Sequence, residues 1–254
     1  MHTAPGSPAR FPMKRTAALA FVALAITQVG CSLGQGEGRV HSDRLVAKDC
    51  WGLDSVETCA ANGGAGCAFD LQPDFFAAVP FRDTLQIRVQ RGNDLTEVSD
   101  GLSVLVDDIQ KIRSELLGTP LCVTLPPGVA PPGSPEGSAV TPPDAGADGG
   151  TGVVDCGVPL VHMSLYLEAS CHNQNIVLYA VSGTATFTEL FSGDPNEEDA
   201  DEKYTAATFD VMVGDPRDVP LGAPAYQIPE DKLTRLDGSF RFYFERGQPG
   251  QPFP

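Results

Sequence analysis

The sequence predicts a mainly β protein, an antiparallel sandwich or small barrel with one amphipathic helix, braced by disulfides. Three observations carry this expectation. Beyond residue 156, short segments alternate apolar and polar side chains between turn signals, about five strands in the last ninety residues or so. One stretch near residue 100 carries apolar residues at alternating 3 and 4 spacing, the period of an amphipathic helix. Seven cysteines occur, six of them beyond Cys31, and an even set in an exported chain reads as a disulfide framework.

The N-terminal part is set apart from the fold. Lys14 and Arg15 form a positive patch, and Thr16 to Thr27 is a mostly apolar run containing Phe21, Val22, Leu24 and Ile26. Val29-Gly30-Cys31 follows directly. A basic region, an apolar region and small residues, in that order, make an export signal. The run is shorter than the roughly 20 residues that a transmembrane helix needs. Residues 1–30 are therefore expected to be a signal peptide.

Residues 13–32 resemble the lipobox signal of bacterial lipoproteins, with Gly30 before Cys31, although Gln28 stands where that family usually has Leu. The resemblance implies removal of residues 1–30 and covalent lipid (a diacylglyceryl group and palmitate-like chains) on Cys31. Ser32 rather than Asp after the cysteine implies the outer membrane. Two or more acyl chains anchor stably, whereas one binds only marginally. The expected location is thus the bacterial cell envelope.

Cleavage would remove Arg10, Lys14 and Arg15 and no acid, so the formal charge moves from −16 to −19. Such a chain repels phosphate backbones and anionic headgroups. Nucleic acid is excluded as a partner, and attachment to a membrane falls to the lipid.

Residues 31–49 are expected to be the lipidated tether. Gly34, Gly36 and Gly38 punctuate a polar stretch, which as a flexible chain reaches roughly 20–25 Å. Residues 50–122 form a cysteine-rich segment with a strand and the helix. Trp51 and the turn-like Asn62-Gly63-Gly64-Ala65-Gly66 lie in its first part. Thr84 to Gln90 alternates as a half-buried strand. Asp94 and Glu97 make a capping-box start, and Leu95, Val98, Leu102, Leu105, Ile109, Ile112 and Leu116 continue as a helical stripe. Gly118 and Pro120 end it.

Residues 123–155 are a Pro/Gly-rich linker or loop: residues 126–152 hold seven prolines and seven glycines, a composition that cannot pack. Residues 156–254 are the β-rich domain. Its expected strands are Val161–Leu167, Ile176–Val181, Thr184–Leu190, Thr205–Val213 and Ser239–Glu245, the last preceded by an Asp237-Gly238 turn signal. Phe240, Phe242 and Phe244 share one face and read as core.

Candidate site residues are few. Cys31 is the lipidation residue. Cys50, Cys59, Cys67, Cys122, Cys156 and Cys171 are disulfide candidates with 15 pairings open to them; their spacings do not suit zinc. Asp194, Glu197, Glu198, Asp199, Asp201 and Glu202 crowd one loop between strands. Such carboxylates would suit calcium, but no EF-hand pattern accompanies them, and a solvated acidic loop is the simpler reading. No cofactor beyond the lipid is expected. The sequence has no H-E-x-x-H or S-x-x-K motif. The expected role is therefore non-enzymatic: an envelope lipoprotein that binds a protein or glycan partner or has a structural part. An exported hydrolase and a calcium-stabilised adhesion or glycan-binding module are the alternatives.

Overall fold

Ten strands form one curled mixed sheet in the computed structural model, which describes residues 36–48, 50, 67–91, 99–125, 159–171, 175–194, 204–220 and 228–244. All of these belong to one unit, Ser32–Pro254. The strands are β1 (Gly36–Leu45), β2 (Cys67–Leu71), β3 (Phe75–Phe81), β4 (Thr84–Gln90), β5 (Asp100–Val106), β6 (Leu121–Thr124), β7 (Val161–Leu167), β8 (Ile176–Glu189), β9 (Tyr204–Gly214) and β10 (Thr234–Tyr243). Their order is β2-β1-β10-β9-β8-β6-β7-β5-β4-β3, and β7 also pairs with β8. Pairing is antiparallel except between β6 and β7, which run parallel with Val123 beside Val161 and Thr124 beside His162.

Period-2 side-chain direction explains which face is buried. Leu85, Ile87 and Val89 of β4 point inward with Leu102, Val104 and Val106 of β5. Met163 and Leu165 of β7, Phe187 of β8, Phe209 and Val211 of β9, and Phe240 and Phe242 of β10 join them in one apolar cluster. Each fully buried side chain of this size stabilises by about 1.5–3 kcal/mol relative to exposure. The expected aromatic row is core: Phe240 and Phe242 are buried, and Phe244, just past β10, stacks on Phe191 at 3.9 Å between ring centroids.

Phe76, on the strand at one end of the sheet order, stacks on Phe242 at 5.6 Å. The sheet must curl for those two strands to meet. Gly36 makes the approach feasible, because a Cβ there would sit 2.6 Å from Phe242 Cβ and 2.7 Å from Phe76 Cδ2.

Several expectations need correction. The helix expected from Asp94 to Leu116 is a strand in its middle part and helical only at its end. β5 occupies Asp100–Val106, and only Ile109–Lys111 is α-helical (α1), continuing as a π-turn over Ile112–Leu116. The capping-box residues Asp94 and Glu97 lie outside the described residues. Leu102, Val104 and Val106 also alternate at period 2, and pairing with β4 and β7 on both sides selects that period. Asp108 begins α1 instead, its Oδ1 accepting from the Lys111 N–H at 3.1 Å.

The expected tether is shorter than the sequence suggested. Residues 36–45 are β1, paired with β10 and β2; its polar outward positions hide the inward Val40, Ser42 and Leu45. The two strands expected at 176–181 and 184–190 are the single strand β8. A bulge between Ala180 and Ser182 and Gly183, at φ 115°, carry it through. Asp237-Gly238 lies inside β10 and is not a turn. A Cβ on Gly238 would stand 2.1 Å from the Arg39 carbonyl oxygen and 2.6 Å from Phe209 Cζ, so glycine serves close strand approach there. β2, β3 and β6 are further strands that the sequence reading did not place.

Cys50 and Cys171 form a disulfide across 121 positions. Cys67 and Cys122 are also disulfide-bonded, with partners outside the described residues. The linker residues 126–155 lie outside them as well.

Candidate functional site

The outward face of β1, β10, β9 and β8 collects the densest polar constellation among the described residues. Registry builds it in rows. Glu37 sits opposite Arg241, Arg39 opposite Ser239, and His41 opposite Asp237. On the other side of β10, Arg241, Ser239 and Asp237 face Ala206, Thr208 and Asp210. Alternation puts all of these on the side away from the Phe240 and Phe242 core.

The charges on this face are already partly paired. Arg39 Nε donates to Asp70 Oδ1 at 2.8 Å, and its Nη2 lies 3.1 Å from His41 Nδ1. His41 Nε2 lies 3.1 Å from Asp43 Oδ1. Arg235 forms a bidentate pair with Asp210, at 2.8 and 2.6 Å. The Asp70 hydrogen bond, and then that carboxylate's charge, push the Arg39 guanidinium up from its usual value. Asp210 does the same for Arg235. Exposed pairs of this kind add little to stability; their effect is to hold the guanidinium planes in fixed directions.

Between these pairs the face sinks into an open depression of about 370 Å³. Its floor is low because Ala206, opposite Arg241, puts only a methyl group on this face. Glu37, Arg39 and Arg241 stand around it with the hydroxyls of Thr188, Thr208 and Ser239. At one end Arg241 lies 4.0 Å over the Tyr204 ring, and Tyr204 packs on Tyr243 at 3.7 Å. The Tyr204 contact, first, and partial burial push the Tyr243 hydroxyl up from its ordinary value. Chemically the depression offers cationic donors, one carboxylate, hydroxyls and a tyrosine pair, all open to water.

Two polar clusters lie inside the sheet. His162 on β7 has Nδ1 3.1 Å from the Thr124 carbonyl oxygen and Nε2 3.3 Å from Asp107 Oδ2. The Thr124 hydroxyl, 3.4 Å away, shares the nitrogen that already faces the carbonyl, so the ring ties β6 and β7 together and does not activate the hydroxyl. Buried Asp100 accepts from the Ser170 hydroxyl at 2.5 Å and the Ser170 N–H at 3.1 Å. That fixes the turn beside Cys171.

The residues singled out in the sequence are dispersed. Asp194 is exposed just after β8. The other acidic-loop candidates, Glu197, Glu198, Asp199, Asp201 and Glu202, lie outside the described residues, as do Cys31, Cys59 and Cys156. Among the described residues no group of three His, Cys, Asp or Glu is placed to hold a metal ion, and no helix is long and apolar enough to cross a membrane. His41 belongs to the β1 face and not to a tether. The rows of Arg39, Ser239, Thr208 and Arg241 were missed because their members are distant in sequence; only strand registry joins them.

No family model, curated protein or solved structure matches this chain.

Proposed function

We propose that this chain is an exported bacterial envelope lipoprotein, held at the outer membrane through acyl chains on Cys31, whose outward β1–β10–β9–β8 face binds a polyhydroxylated envelope glycan. The role is non-enzymatic. The observation that carries the binding part is the open depression ringed by Arg39, Arg241, Glu37 and the hydroxyls of Thr188, Thr208 and Ser239, with Tyr204 and Tyr243 beside it. Sugar hydroxyls are donors and acceptors at once, and such a mixed set satisfies both. A tyrosine ring with its polar tip supplies apolar contact at an open surface. The formal charge, −19 once Arg10, Lys14 and Arg15 are removed with residues 1–30, leaves a neutral glycan a better ligand than a polyanion.

Export and lipidation rest on Lys14, Arg15, the apolar run and Gly30-Cys31. We further read the curled sheet as a sandwich and not a closed barrel. In support, β2 and β3 end the strand order without pairing with each other, while β3 lies over β10.

Metabolic labelling with a palmitate analogue tests the anchor: the wild type takes up label and Cys31→Ser does not. Equal labelling of both ends the lipoprotein reading. Calorimetric titration with soluble cell-wall glycan fragments tests the face. Arg241→Ala, which removes a rim donor and uncovers Tyr204, is expected to weaken binding about tenfold, the equivalent of one or two hydrogen bonds. Identical affinities for wild type and variant would remove the depression from consideration.

A further inference from the structure

Among the described residues three large apolar side chains are exposed, Leu117 and the pair Val79 and Phe81, and the pair shares one hairpin. The β3–β4 hairpin turns through Arg82 and Asp83, with Phe81 opposite Thr84. Phe81 is 68% exposed and Val79 38%. The two share one side of the strand, with Pro80 between them. The Arg82 guanidinium lies 5.4 Å from the centre of the Phe81 ring. Arg82 holds a positive φ of 58°, and Asp83 is fixed because its carbonyl accepts the Ile109 N–H at 3.0 Å. The tip is therefore a braced turn that presents an aromatic ring to its surroundings.

Its direction follows from packing. Phe76 of β3 lies against Phe242 and beside Gly36, where β1 begins. Pro80 lies near Gly193, whose Cβ would stand 4.0 Å from Pro80 Cβ. Gly193 follows Phe191, which stacks on Phe244, just past the end of β10. β3 thus runs from the level of Gly36 outward past the end of β10. The five steps from Phe76 to Phe81 cover about 17 Å at strand rise.

Cys31 precedes Gly36 by five positions, and five residues span at most about 17 Å. The hairpin tip therefore projects from this end of the sheet as far as the chain to Cys31 can reach. We infer that the Val79-Pro80-Phe81-Arg82 tip is a second membrane contact, inserting Phe81 into the bilayer that receives the acyl chains and so fixing the orientation of the domain. The inference rests on the lipoprotein reading. Phe81 enters the acyl boundary and Arg82 stays with the headgroup phosphates, the arrangement that apolar and basic side chains adopt at a membrane interface. With so acidic a chain, a zwitterionic bilayer is the appropriate partner.

The test compares mature lipidated wild type, beginning at Cys31, with F81W in phosphatidylcholine vesicles, with and without bromine on the acyl chains. Trp51 is the one native tryptophan and sets the baseline. Flotation with the vesicles reports the anchor independently. The expected result is that both proteins float and that F81W gains a blue-shifted emission lost to the brominated lipid. If both float and the added emission of F81W is unquenched, the hairpin contact is overturned while the anchor stands. If neither floats, the anchor and the contact fall together.

Discussion

The Cys50–Cys171 bond sets a large and measurable part of the stability. Cys50 follows β1 and Cys171 follows β7, strands that are not neighbours in the sheet. Both residues are fully buried. In the chain-entropy account, whose mechanism is debated, closing a loop of 121 positions destabilises the unfolded state by about 5 kcal/mol. Cys67 and Cys122 lie inside that loop and are themselves bonded. Halving the effective loop lowers the figure by only about 0.6 kcal/mol. The double variant Cys50→Ala/Cys171→Ala should therefore lose about 4–5 kcal/mol. With a urea slope of about 2–3 kcal/mol/M, its midpoint falls by roughly 2 M. Thermal unfolding falls by roughly 10–20 °C. Both are read by circular dichroism without reductant, so that the remaining bonds persist. A urea midpoint shift under about 0.5 M would refute the reasoning, because it would mean that the cross-link does not restrain the unfolded chain.

Other substitutions probe other parts of the fold. Gly238→Ala places a methyl group against the Arg39 carbonyl and the Phe209 ring; a loss of about 3 kcal/mol is expected, and an unchanged melting temperature would mean that β1 and β10 do not approach so closely. Asp100→Ala leaves the half-buried Ser170 N–H and hydroxyl without their acceptor, at a cost of about 1–2 kcal/mol in urea unfolding. For Tyr179, burial first and the Tyr166 charge second push the hydroxyl up from its ordinary value. The unfolded residue ionises near about 10, so this contribution is whole below that pH and is lost as pH rises toward the folded value. Tyr179→Phe should raise the midpoint of alkaline unfolding; coincident titration curves would contradict this.

How far the sequence led depended on how strongly each segment was committed to one period. Thr84–Gln90 and Val161–Leu167 alternate cleanly, and both are strands with those bounds. Between residues 95 and 116 the apolar residues satisfy two periods at once. The 3–4 stripe through Leu102, Leu105 and Ile109 competes with the alternation of Leu102, Val104 and Val106, and neighbouring strands decided the matter. β1 was concealed by its glycines, which spacing alone reads as flexibility. Here Gly36 and Gly38 are close-approach positions against Phe242, Phe76, Pro73 and Ser239. The disulfide framework was visible as a count, but its pairing depends on the curl that brings Cys50 to Cys171. The candidate binding face lay deepest, because Arg39 and Arg241 become neighbours only once β1 has paired with β10.

The parallel contact between β6 and β7 has a meaning for how this gene can vary. Thr124 leaves the sheet beside the strand that Val161 enters, so the intervening stretch departs and returns at almost the same place. A detour with joined ends adds cost only as the logarithm of its length, and doubling it costs about 0.6 kcal/mol. Its residue number is thus nearly invisible to folding. Insertions, deletions, repeats rich in proline and glycine, or an inserted module can accumulate there without disturbing a single strand register. That is the position at which to expect length polymorphism, and at which to place a reporter.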